Sequence, residues 1–140
     1  MEQSHKIRVN LEHISKTFVS ARGKKREVVE DVSFEVYDNE FLVLLGPGRC
    51  GKTVLLNIMA GILDADEGKV TLDGEEVKGP NPQMGMVFQK TGLLPWLTVM
   101  ENTEFGPKMR GISKEKRRQT AQHFIDLVGL NKYENHYPYQ

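Results

Sequence analysis

The stretch "LLGPGRCGKTVLLNIMAG" (residues 44–61) decides the fold. An apolar run, "FLVLL" (41–45), stops at Gly46 and Pro47, and a second apolar pattern opens at Lys52. Between them Gly46, Pro47, Gly48, Arg49, Cys50, Gly51, Lys52 and Thr53 stand at phosphate-loop spacing. A nucleoside triphosphate needs many donors converging on its phosphates. Backbone N–H groups supply them where the chain wraps closely, and glycine permits that wrap. A helix beginning after Gly51 aims its unpaired N–H groups and positive dipole end at the anion. Lys52 adds a full charge, and Thr53 offers a hydroxyl to Mg²⁺. The expected ligands are therefore ATP, or another nucleoside triphosphate, and Mg²⁺.

Around the loop the text is strand, then helix. "FLVLL" reads as a parallel strand buried on both faces. Val54, Leu55, Leu56, Ile58, Met59 and Ile62 cover most of a helix, which predicts burial on most sides. Upstream, "IRVNLEHISKTFV" (7–19) is strand-like. "DVSFEVY" (31–37) alternates, with Val32, Phe34 and Val36 opposed to Ser33 and Glu35. The charged "ARGKKREVVE" (21–30) between them reads as a hairpin loop. Downstream, "KVTLDGEEV" (69–77) is a hairpin with its turn at Asp73 and Gly74. "MGMVF" (84–88) is a second short apolar run ending at Gln89, and "LLPWLTVMEN" (93–102) leads into helical text. In the last helix Ala121, Phe124, Ile125 and Val128 share a face, Ser113 is the N-cap and Gly129 the stop. The class is α/β, with an antiparallel β portion beside a parallel core.

Composition narrows the function. Nineteen basic residues balance nineteen acidic ones, which disfavours a nucleic-acid partner. The basic runs "RGKKR" (22–26) and "KEKRR" (114–118) read as solvated surface. One cysteine, Cys50, permits no internal disulfide and suits a reducing, cytosolic setting. Cys50 reads as a small residue chosen for its backbone, with a thiol that Lys52 and the helix start push toward thiolate. The first residues do not form a signal peptide, and no apolar run reaches the roughly 18 residues of a membrane span. A membrane role is expected from the side.

The order of these pieces resembles the ATP-binding subunits of ABC transporters across essentially the whole chain. Phe18 ends an early strand, the phosphate loop follows, then "VFQ" and "LLPWLTVMENTEFG". "GPNPQMGMVFQKTGLLPWLTVMEN", "LVGL" and the final "YPYQ" are similar to the nitrate/sulfonate/taurine import group. The resemblance implies a phosphate-loop ATPase fold: a β subdomain at 1–40 and 68–80, a core at 41–67 and 81–90, and the start of a helical subdomain at 91–140. It also implies roles. Phe18 stacks on adenine. The loop from Gly46 to Thr53 holds the phosphates, with Thr53 on Mg²⁺. Gln89 contacts Mg²⁺ and the attacking water. Leu94, Pro95, Trp96 and Leu97 line the groove where a membrane permease docks. A second ATP-binding subunit completes a dimer, a solute-binding protein acts indirectly, and the location is the inner face of the plasma membrane.

Three positions depart from the pattern. Gly48 stands where serine is common, Arg49 where glycine is usual, and Val54 where threonine is usual. A left-handed Arg49 costs about 1–2 kcal/mol. Val54 offers no hydroxyl to the α-phosphate, and one hydrogen bond to a charged group is worth about 1.5–3 kcal/mol. Weaker nucleotide binding is therefore expected, improved by Val54→Thr. In the family the signature "LSGG" follows "YPYQ" directly. The signature, the Asp-Glu strand end and the switch histidine are not among these 140 residues. Asp126 sits in amphipathic helix text and does not replace them. The expectation is the N-terminal part of a longer ATPase that binds nucleotide without turnover.

Two other classes stay open. A GTPase needs Asn-Lys-x-Asp, and "NKYE" (131–134) ends in Glu; Asp126 to Gly129 lies too close to serve as its partner motif. A non-catalytic module that binds ATP or a permease is the third reading.

Overall fold

β1 (Ile7–Val19) and β2 (Lys25–Tyr37) form a long antiparallel hairpin. The computed structural model describes residues 6–90 and 92–140, in two compact units, Met1–Met86 and Val87–Gln140. In the first unit β3 (Glu67–Leu72) pairs with the other edge of β1, and β4 (Glu75–Glu76) pairs with β3. The sheet order is β2-β1-β3-β4, all antiparallel. The β1–β2 connection is shorter than the expected 21–30 loop, because β2 already starts at Lys25. Ser20 closes the turn, donating its N–H to the Lys24 carbonyl (2.9 Å) and accepting the Lys24 N–H on its hydroxyl (3.0 Å). The β3–β4 turn lies at Asp73 (φ 50°) and Gly74 (φ 85°), the positive-φ pair that a two-residue hairpin needs.

One face of this sheet is apolar: β2 alternates from Val32 to Val36, and register shifts beside the positive-φ residues His13 and Asp31 bring Leu11 and Ile14, three apart, into one core. Val32, Phe34 and Val36 are partly buried while Ser33 and Glu35 are exposed. Leu11, Ile14, Val29 and Val70 meet Leu55 and Ile58 of α1 (Lys52–Met59) in the core. Burying each such side chain contributes about 1.5–3 kcal/mol. Only one stripe of α1 is covered: Leu56 is 44% exposed and Ile62, just beyond the helix, 48%. The expectation of burial on most sides is corrected. One sheet covers one side of a helix, and among the described residues of this unit no second layer covers the rest.

The two apolar runs also differ from the expected parallel core. "FLVLL" and "MGMVF" belong to no strand, with Phe41 92% and Val87 99% exposed. Leu44 alone of the first run packs against the core. A strand exists only as a member of a ladder, and among the described residues neither run has a partner.

The second unit holds α2 (Val99–Met109) and α3 (Lys114–Leu127), packed through Met100, Ala121 and Ile125. Thr98 and Glu101 form a capping box at the start of α2. The carbonyls of His136 and Glu134 accept the N–H groups of Val99 (2.9 Å) and Met100 (3.0 Å), so the first-turn donors of α2 are all engaged. Ser113 is the N-cap of α3, but its side chain makes no capping bond. Phe124 on that helix and Val128 at its C-cap are exposed rather than buried with Ala121 and Ile125. Glu104 is buried, with Oε2 accepting from Arg117 Nε at 3.0 Å. Among the described residues no helix is long and apolar enough to cross a membrane.

Candidate functional site

The loop from Gly46 to Gly51 leaves the core at Leu44 and turns into α1. Its shape depends on two positive-φ residues, Arg49 (66°) and Gly51 (97°). Gly51 allows no substitute: a Cβ there would stand 2.4 Å from the Val28 carbonyl oxygen. Arg49 adopts the left-handed conformation that costs a non-glycine residue about 1–2 kcal/mol. At Gly48 a Cβ would meet nothing within 4 Å, so serine would fit there. Gly46 is tighter, its Cβ position 2.8 Å from Cys50 Sγ.

Lys52 folds back under the loop. Its Nζ donates to the carbonyls of Gly46 (2.7 Å) and Pro47 (2.8 Å) and to Cys50 Sγ (3.2 Å). The hydrogen bond from Lys52 holds the exposed Cys50 thiol below its ordinary pKa. Gly51 is the N-cap of α1 and offers no side chain to the first turn, which also carries no acidic residue. The helix start therefore keeps its unpaired N–H groups and positive end for an external anion.

A cavity of about 360 Å³ opens over this loop, lined by Phe18, Arg26, Val28 and Arg49 to Val54. Three lining side chains are cationic, Arg26, Arg49 and Lys52, and none is a carboxylate. Phe18, 41% exposed, sits across the β1–β2 ladder from Arg26. The Lys16 ammonium lies 6.0 Å from the centre of its ring. Lys16 is in turn held by Asp66 at 2.6 Å, and the same carboxylate accepts the Thr17 N–H at 2.7 Å. Those contacts hold the Asp66 carboxyl below its usual range, Lys16 foremost. Thr53 is exposed at the first turn, and Val54 packs its side chain against the core.

The structure thus brings Phe18, Arg49, Cys50, Gly51, Lys52, Thr53 and Val54 around one cavity, with the Gly46 and Pro47 carbonyls accepting from Lys52. Gln89, Leu94, Pro95, Trp96 and Leu97 belong to the second unit. Gln89 is exposed there. Trp96, 68% exposed, stands on a turn that Asn102 holds: its Nδ2 donates to the carbonyls of Leu94 (3.1 Å), Leu97 (2.9 Å) and Thr98 (3.0 Å). Its Oδ1 accepts the Leu94 N–H at 2.8 Å.

Two features go beyond the sequence reading. Arg26, assigned above to a solvated basic run, lines the cavity. Only its register opposite Phe18 reveals this. Asn102 is the second, and the Thr98-x-x-Glu101 capping box marks the helix start from which it reaches the turn.

Comparison with known proteins agrees with this geometry. The sequence profile of the family described as ABC transporter matches residues 29–140. An uncharacterized ABC transporter ATP-binding protein of Methanocaldococcus jannaschii is 46% identical over 135 residues, covering 96% of this chain and 50% of that protein. The taurine import ATP-binding protein TauB of Yersinia pestis is 42% identical over 128 residues, covering 91% of this chain and 49% of that one. The chain spans about half the length of the curated relatives it matches. Among solved structures, a dimeric ATP-binding cassette bound to ADP and Pi superimposes with a TM-score of 0.82 at 27% identity. That match covers 94% of this chain and 62% of the cassette. With a phosphate loop, a cationic cavity and these relatives, the chain belongs to the ABC transporter family, on the side of its ATP-binding subunits.

Proposed function

We propose that this chain carries the ATP- and Mg²⁺-binding part of an importer's ATPase subunit. One observation carries the reading: Phe18 and the phosphate loop, far apart in sequence, line a single cationic cavity. Lys52 and the free first-turn N–H groups of α1 take the phosphates, Thr53 gives a hydroxyl to Mg²⁺, and Phe18 stacks on the base. The divisions proposed are a β subdomain at 1–40 and 68–80, a core at 41–67 and 81–90, and a helical start at 91–140. Gln89 serves the metal and the attacking water. The exposed Trp96, with Leu94, Pro95 and Leu97, docks a permease, since an exposed aromatic is a strong interface anchor.

In the assembled transporter a second ATP-binding subunit and the permease at the inner membrane face complete the machine, and a solute-binding protein delivers cargo. The 42% identity to a taurine import protein favours a small solute such as taurine, another sulfonate or nitrate. These 140 residues by themselves bind nucleotide without turnover.

The test is a titration of the chain with ATP and GTP beside Lys52→Ala, with phosphate release followed in parallel. ATP binding that Lys52→Ala removes supports the reading. A preference for GTP, or no binding, overturns it. Phosphate release lost in Lys52→Ala would refute the absence of turnover.

A further inference from the structure

We infer that Arg26 is a phosphate-binding residue of this cavity and stands in for the hydroxyl that Val54 lacks. The inference rests on the reading of the cavity as an ATP site. Arg26 and Val28, two apart on β2, both line the cavity, beside the irregularity in the β1–β2 register at Lys16 and Thr17. The Arg26 Nη2 reaches to 3.5 Å from the Arg49 carbonyl oxygen, so the guanidinium lies against the loop rather than along the sheet. A guanidinium carries five donors. One is spent on that carbonyl, and no carboxylate lines the cavity to neutralise the rest.

The other side of the argument is Val54. Its side chain packs on the core cluster and presents no donor, although its position lines the same cavity. A phosphate tail entering there meets Lys52, the first-turn N–H groups and the Thr53 hydroxyl, and lacks one donor. The planar fork of Arg26 matches phosphate oxygens and supplies it. The arginine comes from β2 and reaches the site only because Phe18 and Arg26 are register partners. An adenosine without phosphates has no use for it.

The test is equilibrium binding of ATP, ADP and adenosine to the 140-residue chain and to R26A, R26K, V54T, R26A/V54T and K52A. R26A should weaken ATP and ADP at least tenfold and leave adenosine unchanged. R26K should keep part of the affinity. V54T should gain more in the R26A background than alone. Thermal unfolding checks that the exposed Arg26 is not needed for folding, and R26K decides if R26A unfolds. Wild-type ATP affinity in R26A, or an equal loss for adenosine, overturns the inference. If K52A loses ATP while R26A does not, this inference alone fails. If the unaltered chain binds no ATP, or K52A has no effect, the reading of the cavity fails with it.

Discussion

The Lys52 ammonium lies 3.2 Å from Cys50 Sγ while donating to two loop carbonyls, Gly46 at 2.7 Å and Pro47 at 2.8 Å. One side chain thus closes the phosphate loop from within and activates its only thiol. A phosphate entering the loop competes for the same ammonium.

The first consequence is chemical. The thiolate is the reactive form, and Lys52 holds the Cys50 pKa down. Alkylation of Cys50 should rise with pH around a midpoint below that of an ordinary thiol. Lys52→Met should move the midpoint up. ATP should slow the reaction. Mass-spectrometric rates against pH check all three, and an unchanged midpoint in Lys52→Met would remove lysine as the cause.

Gly51 is constrained twice, by φ 97° and by the Val28 carbonyl 2.4 Å from any Cβ. Gly51→Ala should cost about 1–2 kcal/mol for the left-handed backbone alone. The clash adds to that. Denaturant unfolding reads the loss, and nucleotide affinity should fall with it. Gly48→Ser, placed where a Cβ meets nothing, is the control that should fold normally.

Asp66 joins the segment after α1 to β1 beside Phe18 through Lys16 and Thr17. Its folded pKa lies below the unfolded value. Its contribution is therefore fully present above the ordinary carboxylate range and is lost as pH falls through the folded pKa. Asp66→Asn should flatten that part of the stability–pH curve. It should also weaken ATP more than phosphate-only ligands, because Phe18 loses the lysine held beside it. Unfolding midpoints measured across the acid range decide this.

Asn102 makes four hydrogen bonds to the turn at Leu94 to Thr98. The Nδ2 group has two hydrogens for its three carbonyls, which makes about three full bonds with the one at Oδ1; at about 0.5–1.5 kcal/mol each, Asn102→Ala should destabilise that turn by about 1.5–4.5 kcal/mol. Amide exchange at Leu94 and Leu97 should accelerate while α1 is unaffected. Protection that persists at both amides would show that the turn holds without the side chain.

Much of this molecule is legible in its sequence. The phosphate loop is contiguous, so its spacing alone places donors, charge and hydroxyl. The Asp73–Gly74 turn and the alternation of Val32, Phe34 and Val36 are local patterns with local causes. The less legible features depend on partners. "FLVLL" is apolar enough for a central strand, yet it joins no ladder among the described residues. Leu56 and Ile62 are apolar, yet the core covers only the side of α1 that carries Val54, Leu55, Ile58 and Met59.

The sequence by itself determined that a phosphate-binding loop leads into a helix, that Arg49 and Val54 depart from its usual form, and which family it resembles. Tertiary structure alone decided that Arg26 faces the cavity, that Lys52 grips the loop carbonyls and the thiol, and that Trp96 stands exposed on a turn pinned by Asn102. The physical reason is range. Spacing along the chain specifies groups within a turn or two of each other, whereas register between strands and the return of a long side chain onto backbone carbonyls exist only once the chain has folded.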